Sequence, residues 1–440
     1  MSSSEILVQP QYNILQLSQC TTLFPSTLTQ YTALINHISL CTTLWSQQYY
    51  MLDTVMEYIT YISNPVTIYV FIFPFVYMYI SRQLGINILF VLSVNDIVNV
   101  LLKWILLGDR PYWYSIYVRE FNSTCESGYG LPSGHTAINT AIYTIILYHY
   151  WYKSNPRIYK RVLCSMVIVI PLIAWSRIHT GAHFVGQTIY GILSGYIITT
   201  ITHKYSILQS IELRLNNIMN GQNRSMVTIS TISLLSSVSI IIFAYIELYI
   251  LSLFDIDSLH SVVLKSQGCG NYRVADRYKL INNDIISMMQ SNDNTMQHSS
   301  NASSMTHANT PVMAVVRDSG LFGSLILYLC INIIRLNNNT QYNTVHVGND
   351  TSSNTTLSYN SILSTDTVIL QLSIKSIVIT YIQLCGLTYI LSYIVTLISS
   401  YVSSDYYMLT QYILNYIEFI LITLFILIII PSVTRSVCRQ

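Results

Sequence analysis

Three short clusters of polar residues interrupt an otherwise apolar chain, and their side chains could together bind and transfer a phosphoryl group. The first cluster contains Lys103 and Arg110. The second is the run Pro-Ser-Gly-His that ends at His135, and the third contains Arg177 and His183. Each cluster therefore supplies cationic or imidazole groups, the side-chain types that phosphate chemistry uses.

The chemistry of such a set can be stated group by group. Lys103, Arg110 and Arg177 are positively charged, and the planar fork of an arginine suits phosphate oxygens. Ser133 and Gly134, entering a helix, offer a hydroxyl group and backbone N–H groups at a positive helix end. Of the two histidines, one could attack phosphorus and the other could protonate the departing oxygen. The cations would stabilise the charge on the phosphoryl oxygens in the transition state, so no metal or cofactor is expected.

Each of these residues also has a purely structural explanation. Lys103 could extend its charge to the membrane surface from a helix end, and the arginines could be interfacial anchors. A lone histidine is more often structural than catalytic, and Pro-Ser-Gly could be a simple helix-start turn. The functional hypothesis depends on their joint occurrence, in order, on one face of the membrane.

Composition places the chain in a membrane. Of 440 residues, 52% are hydrophobic and only 9% are charged, whereas charged residues make up roughly a quarter of ordinary soluble proteins. The 21 Lys and Arg residues are scattered, which argues against nucleic-acid binding. The eight cysteines show no spacing suited to zinc. The N-terminal residues lack the pattern of a cleavable signal peptide, so the first spanning helix is expected to drive insertion into the lipid bilayer.

The apolar segments predict an all-α fold, a polytopic bundle of about nine transmembrane helices, since a span needs about 20 apolar residues. The predicted spans are residues 62–81, 86–107, 135–152, 161–176, 183–203, 226–254, 312–334, 372–398 and 409–431. Two stretches rich in Asn, Ser and Thr, 282–310 and 337–366, are predicted to be disordered insertions.

Lys and Arg in the short loops predict the orientation. Arg82, the cluster 153–161 and the basic residues of 204–224 fall in alternate loops, which assigns those loops to the cytosol. The N-terminus then faces the lumen and the C-terminus the cytosol. The chain crosses the membrane twice between the second and third clusters, so all three reach the lumenal face. Arg110 and Arg119 oppose the charge bias in their loop, which calls for a functional explanation.

These predictions divide the chain into regions. The regions are a lumenal N-terminal extension (1–58), a membrane catalytic core (59–254), a lumenal loop with a polar insertion (255–311), the seventh span (312–334), a polar, disordered cytosolic loop (335–368), the last two spans (369–431) and a cytosolic tail (432–440).

The clusters resemble the motifs of the type-2 phosphatidic-acid phosphatase superfamily: K-x6-R-P, P-S-G-H and S-R-x5-H-x3-D. The resemblance implies that His183 forms a phosphohistidine and that His135 is the general acid. The residues that it implies hold the phosphate are Lys103, Arg110, Ser133, Gly134 and Arg177. The aspartate that orients the nucleophile in that superfamily is Gln187 here, whose amide oxygen could accept a hydrogen bond from His183.

Gln187 and the run Lys-Trp-Ile-Leu-Leu-Gly-Asp-Arg-Pro-Tyr-Trp-Tyr that begins at Lys103 resemble the glucose-6-phosphatase catalytic subunit family. That resemblance implies hydrolysis of glucose 6-phosphate at a lumenal site in the endoplasmic reticulum membrane, with a separate sugar-phosphate transporter as partner. One alternative is a lipid phosphatase acting on phosphatidate, a sphingoid phosphate or a polyprenyl diphosphate. Another is a transporter or pseudoenzyme that only binds phosphate.

Secondary sites complete the sequence-based expectations. Of the Asn-x-Ser/Thr triplets, the predicted topology places Asn122 and Asn301 in the lumen, where glycosylation occurs. Cys125 and Cys269 would also be lumenal, where an oxidising compartment permits a disulfide between them. Cys20 and Cys41 in the N-terminal tail are rival partners.

Overall fold

The computed structural model describes residues 39–114, 118–119, 121, 128–152, 155–221, 226–253, 311–346, 374–400 and 407–430. Every regular element in these residues is helical, which confirms the predicted all-α class. A short helix at 39–46 precedes the longer ones. The longer helices are α1 (Tyr50–Ile62), α2 (Pro65–Ile80), α3 (Arg82–Leu106), α4 (Gly134–Tyr152), α5 (Pro156–His179), α6 (Val185–Lys204), α7 (Ile207–Gly221), α8 (Met226–Leu253), α9 (Pro311–His346), α10 (Ile374–Ser400) and α11 (Tyr407–Leu424).

Helix length and hydropathy identify the candidate membrane spans. Among the described residues, four helices are long and apolar enough to cross a membrane, and they lie in α3, α5, α8 and α9. The count becomes five if the pair α1 and α2, bent by 52°, forms one broken span. Each span predicted from the sequence coincides with one of the helices, and the number nine stays a prediction.

Side-chain caps explain where several helices begin. The Ser81 side chain accepts a hydrogen bond from the Leu84 N–H at 3.2 Å and starts α3. Asn64 accepts from the Val66 N–H at 2.9 Å just before Pro65. Asparagine and serine satisfy the free N–H groups of a first turn, and proline at the first helical position has no such group to satisfy.

Two features of the helices differ from the sequence-based boundaries. Helix α9 continues to His346, so it extends into the stretch 335–368 that was expected to be a disordered loop. The extension contains neither Gly nor Pro before Gly348, so no residue type there favours ending the helix. Helix α7, which contacts α9, was not predicted at all because it is too short and polar to resemble a span.

A four-helix unit made of α3, α4, α5 and α6 positions the three polar clusters. Helix α4 packs against each of the other three helices. Its contact with α6 is closest at Gly191 and Gly195, where an added Cβ would overlap the Ser133 carbonyl oxygen and the Ala137 backbone. Small residues let two helix backbones approach each other within a membrane. This approach brings the start of α4 beside the start of α6.

Helix α9 joins this unit to the remainder of the bundle. It packs against α3, α8 and α11. At the contact with α3, Arg317 pairs with Asp96 at 2.7 Å and with Asp318 at 2.7 Å. The Asp318 side chain is fully buried and that of Asp96 is 10% exposed, so the arginine compensates two carboxylates at an interhelical contact.

Candidate active site

The first polar cluster lies where α3 ends. Lys103 is half-buried on the last turn of that helix. Leu107 then adopts the left-handed conformation (φ 49°) and its N–H donates to the Lys103 carbonyl oxygen at 3.1 Å. A residue in this conformation reverses the chain direction at a helix end. The reversal directs the following residues, through Arg110, back toward the start of α4.

Hydrogen bonds to backbone carbonyl oxygens join all three clusters. The Gly130 N–H donates to the Gly108 carbonyl oxygen at 2.7 Å, which fixes the loop before α4 to the first cluster. The Ser133 N–H donates to the Gln187 carbonyl oxygen at 3.0 Å, which fixes the same loop to α6. The Gln187 side-chain amide donates to the Asp109 carbonyl oxygen at 2.7 Å and so connects α6 to the first cluster. The tertiary structure thus brings together the three clusters that the sequence singled out.

His183 lies at the centre of this arrangement and is fully buried. Its Nδ1 atom is 2.8 Å from the Gly130 carbonyl oxygen. Because a carbonyl oxygen can only accept, Nδ1 must carry a hydrogen in this contact, and in the neutral ring the lone pair then resides on Nε2. A histidine held in this tautomer can act as a nucleophile through Nε2.

Gln187 does not make the contact that the sequence suggested. Its amide oxygen accepts from the Phe184 N–H at 3.1 Å rather than from the His183 ring. The amide instead lies against Gly130, where an added Cβ would come within 2.6 Å of it. The Gly130 carbonyl oxygen, and not the Gln187 amide oxygen, is therefore the hydrogen-bond partner of the His183 Nδ1 atom.

Arg110 is completely buried and holds the loop before α4. Its guanidinium donates to the carbonyl oxygens of Gly128 at 2.5 Å, Tyr129 at 3.2 Å and Ala182 at 3.2 Å. Ala182 directly precedes His183. The arginine that was predicted to bind phosphate thus also connects two of the clusters, using the several donors that its planar fork provides.

Arg177 and His135 lie near helix ends, on the last turn of α5 and the first turn of α4. Arg177 is fully buried on the last turn of α5. Its carbonyl oxygen accepts from the Ala182 and His183 N–H groups at 3.1 Å and 3.2 Å, so the turn that follows places His183 close behind it. His135, on the first turn of α4, is 6% exposed. The Asn139 amide donates to the His135 carbonyl oxygen at 2.8 Å and to Ser63 at 2.9 Å.

Ser133 and Gly134 form the positive end of α4. The Ser133 hydroxyl group is buried and has no hydrogen-bond partner among the described residues. An added Cβ on Gly134 would lie 3.3 Å from Oδ1 of Asn99, a buried residue one turn before Lys103. A free hydroxyl group beside the N-terminal N–H groups of a helix can accommodate an anion. This end of α4 therefore has the chemistry of a phosphate seat.

The predicted modification sites fall largely outside the described residues. The described residues do not include Asn122, Asn301, Cys125 or Cys269. The glycosylation of the asparagines and the pairing of the cysteines stay predictions. Cys41, named from the sequence as a rival partner, is disulfide-bonded. The other cysteines in the described ranges are not disulfide-bonded; they are Cys164, Cys330 and Cys385.

Sequence reasoning did not find Gly130, which acts through its backbone and gives no side-chain signal. It also did not find Gln47 and Asp53, which precede the predicted core and contact Arg119 and the end of α5. The one sequence signal that could have pointed to them is Arg119, because a cation on the side of the membrane that the charge bias disfavours needs a partner.

Comparison with known proteins agrees with the motifs. Residues 84–209 match the PAP2 superfamily. The chain is 31% identical over 167 residues to glucose-6-phosphatase 3 of Rattus norvegicus, covering 33% of this chain and 46% of the relative. It is 32% identical over 157 residues to glucose-6-phosphatase catalytic subunit 1 of Bos taurus, covering 31% and 44%.

The matched region thus spans slightly less than half the length of these curated relatives. No solved structure matches the chain significantly. The matched residues include α3 to α6 and all three polar clusters. Residues 84–209 therefore match the PAP2 superfamily and are similar in sequence to the glucose-6-phosphatases.

Proposed function

We propose that this chain hydrolyses glucose 6-phosphate to glucose and inorganic phosphate through a phosphohistidine on His183. The observation that carries the proposal is the contact between the His183 Nδ1 atom and the Gly130 carbonyl oxygen at 2.8 Å. This contact leaves the Nε2 lone pair for attack. Once Nε2 is phosphorylated the ring is cationic, and the same carbonyl oxygen stabilises the added charge.

The reaction proceeds in two displacements at phosphorus. First, Nε2 of His183 attacks, the new N–P bond forms, and the bond from phosphorus to the sugar oxygen breaks. Protonated His135 donates its proton to that oxygen, so the sugar leaves as a neutral alcohol. Water then attacks the phosphohistidine while His135 accepts a proton from it. The electrons of the N–P bond return to Nε2, and inorganic phosphate leaves.

The cations and the start of α4 would bind the phosphoryl oxygens. Arg177 and Lys103 supply positive charge, and the Ser133 hydroxyl group and the Gly134 N–H supply hydrogen-bond donors at the positive end of a helix. Arg110 contributes charge and also holds the loop in place. Groups fixed in this way need no reorganisation as charge develops in the transition state, which is the main source of electrostatic catalysis.

The similarity to proteins named glucose-6-phosphatase supports a hexose phosphate as substrate. The charge distribution of the loops supports a lumenal active site and N-terminus and a cytosolic C-terminus. Residence in the endoplasmic reticulum membrane is supported by the resemblance to the glucose-6-phosphatase family alone. A hexose phosphate made in the cytosol must then be carried to the site. A sugar-phosphate transporter in the same membrane is the partner that this arrangement requires.

The test is phosphate release by detergent-opened microsomes that express the chain. Glucose 6-phosphate, mannose 6-phosphate and a short-chain phosphatidate are offered in parallel to the wild type and to His183→Ala. His149→Ala, at the opposite end of α4 from the site, is the matched histidine control. We expect release from glucose 6-phosphate that is abolished by His183→Ala and kept by His149→Ala.

Two results would overturn parts of the proposal. Release only from the phosphatidate would keep the mechanism and assign a lipid phosphate as substrate. Release that survives His183→Ala would refute the assignment of the nucleophile. A phosphorylated form trapped with radiolabelled substrate should be stable in alkali and lost in acid, as phosphoramidates are, and should be absent from His183→Ala.

A further inference from the structure

A buried histidine separates the two main groups of the third cluster. His179 lies on the last turn of α5, between Arg177 and His183 in the chain, and is fully buried. Both of its ring nitrogens have partners: Nε2 is 2.9 Å from Oδ1 of Asp53, and Nδ1 is 3.0 Å from Oγ of Ser46. The turn that carries the proposed nucleophile is therefore anchored at its middle.

Both partners of this histidine belong to the segment before the membrane core, which the sequence presented as a separate extension. Ser46 is held from a second direction, because its hydroxyl oxygen accepts from the Trp175 indole N–H at 2.8 Å. Trp175 precedes His179 by one turn of the same helix. The segment thus contacts α5 at two successive turns next to the site.

Gln47 extends the connection to the loop that follows the first cluster. Its amide nitrogen donates to the carbonyl oxygens of His179 at 2.8 Å and Arg119 at 2.9 Å. Its amide oxygen accepts from the Arg119 N–H at 2.9 Å. One side chain therefore satisfies both backbone groups of Arg119 and a carbonyl oxygen at the end of α5, where helix carbonyls lack internal partners.

Asp53 contacts both the loop and the histidine. Its carboxylate pairs with the Arg119 guanidinium at 2.6 Å and 3.1 Å, and the same carboxylate contacts His179. Bidentate pairs of this kind fix orientation as well as distance. The Arg119 guanidinium also lies over the Tyr50 ring, 4.2 Å from its centroid. Arg119, the cation that opposed the charge bias predicted for its loop, is thereby paired with a carboxylate.

Close backbone contact shows how tightly the loop sits on this turn. Gly181 has φ 72°, and a Cβ there would come within 2.5 Å of Val118 and 3.0 Å of the Arg119 carbonyl oxygen. Glycine adopts this conformation without strain and leaves room for the neighbouring chain. The turn from Arg177 to His183 is consequently enclosed by the loop on one side and by the N-terminal segment on the other.

From these contacts we infer that Asp53 and His179 are a pair of positioning residues that holds the Arg177-to-His183 turn in its reactive geometry, with Gln47 and Arg119 connecting the loop to it. The inference rests on the proposed function, since the turn carries the proposed nucleophile. Misplacing reacting groups by about 1 Å can reduce a rate by about 10²-fold. A loss of this pair should therefore reduce kcat/KM without a comparable loss of folded protein.

Three variants distinguish a positioning role of the pair from a role in the stability of the fold alone. His179→Phe keeps the ring volume and removes both hydrogen bonds, whereas His179→Gln keeps a donor that can reach Asp53. Asp53→Asn removes the charge at constant shape. The matched control is Glu57→Gln, the same chemical change one turn later on α1, at a carboxylate that makes none of these contacts.

The full-length chain is purified in detergent, and kcat, KM and orthovanadate inhibition are measured with hydrogen exchange over residues 176–188. We expect Asp53→Asn and His179→Phe to lower kcat/KM by about 10²-fold, to weaken orthovanadate inhibition because Arg177 moves with the turn, and to speed exchange of this segment. His179→Gln should recover part of the activity. Glu57→Gln should match the wild type.

The outcomes distinguish this inference from the proposed function. Unchanged kcat/KM and exchange in Asp53→Asn and His179→Phe would overturn the positioning role, as would equal losses in Glu57→Gln. If the wild type releases no phosphate from any offered substrate, the proposed function fails. Faster exchange of residues 176–188 in the two variants would then still support the positioning of the turn, and unchanged exchange would refute it.

Discussion

The close contact between α4 and α6 should set the geometry of the site, and Gly191→Ala tests this. A Cβ at Gly191 would lie 2.5 Å from the Ser133 carbonyl oxygen and would also overlap the Thr136 hydroxyl group. Ordinary van der Waals contact begins at 3.4 Å. Restoring ordinary contact would displace Ser133 from α6 by about 0.9 Å, unless the neighbouring side chains absorb the change at an overpacking cost.

Gly191→Ala should change the activity much more than the stability. Overpacking costs about 1–3 kcal/mol, while replacing a helical glycine by alanine gains about 1 kcal/mol, so the net destabilisation should be about 0–2 kcal/mol. A displacement of nearly 1 Å at Ser133 moves the phosphate seat relative to the turn that carries His183. Misplacement of that size reduces rates by about 10²-fold. Activity should thus fall much more than thermal stability.

The assay compares kcat/KM for glucose 6-phosphate and the thermal unfolding temperature of purified Gly191→Ala with those of Gly186→Ala. Gly186 lies on the same helix, and a Cβ there would meet nothing within 4 Å. The control should therefore keep wild-type activity and stability. Wild-type activity in Gly191→Ala, or equal losses in the two variants, would refute the reasoning that this contact fixes the seat.

Three further predictions concern other contacts. Arg110→Lys cannot keep all three hydrogen bonds to backbone carbonyl oxygens, so the unfolding free energy should fall by about 1.5 kcal/mol or more in a denaturation assay, and an unchanged value would contradict the loop-holding role. Arg317→Leu leaves the carboxylates of Asp96 and Asp318 without their cation, so the unfolding free energy should fall by about 3–5 kcal/mol. The triple variant that also converts both aspartates to asparagine should regain much of the lost thermal stability. No regain would show that charge is not the cause. Ser133→Ala removes a hydroxyl group that has no protein partner among the described residues, so it should weaken orthovanadate inhibition by about tenfold at unchanged thermal stability, whereas a large loss of stability would assign the hydroxyl group a structural role.

The membrane setting and the identity of the clusters could be read from the sequence because both depend on local composition. An apolar run of about 20 residues must become a helix in lipid, where each backbone group needs a partner. For this reason the segment that became α3, with Lys103 near its end, was predicted close to its observed bounds. The cluster residues were recognisable since buried cations and histidines are rare in apolar chains.

The partners of those residues were decided by the tertiary structure. The Gly130 carbonyl oxygen that fixes the His183 tautomer has no side-chain signature, and it occupies the place that sequence reasoning gave to the Gln187 amide. Asp53 and His179 are 126 positions apart, and no local pattern in the chain relates them. By itself, the sequence determined which groups are available for chemistry and which helices carry them. Their distances and hydrogen-bond directions were set only by helix packing and loop closure, because these contacts join residues that are remote in the chain.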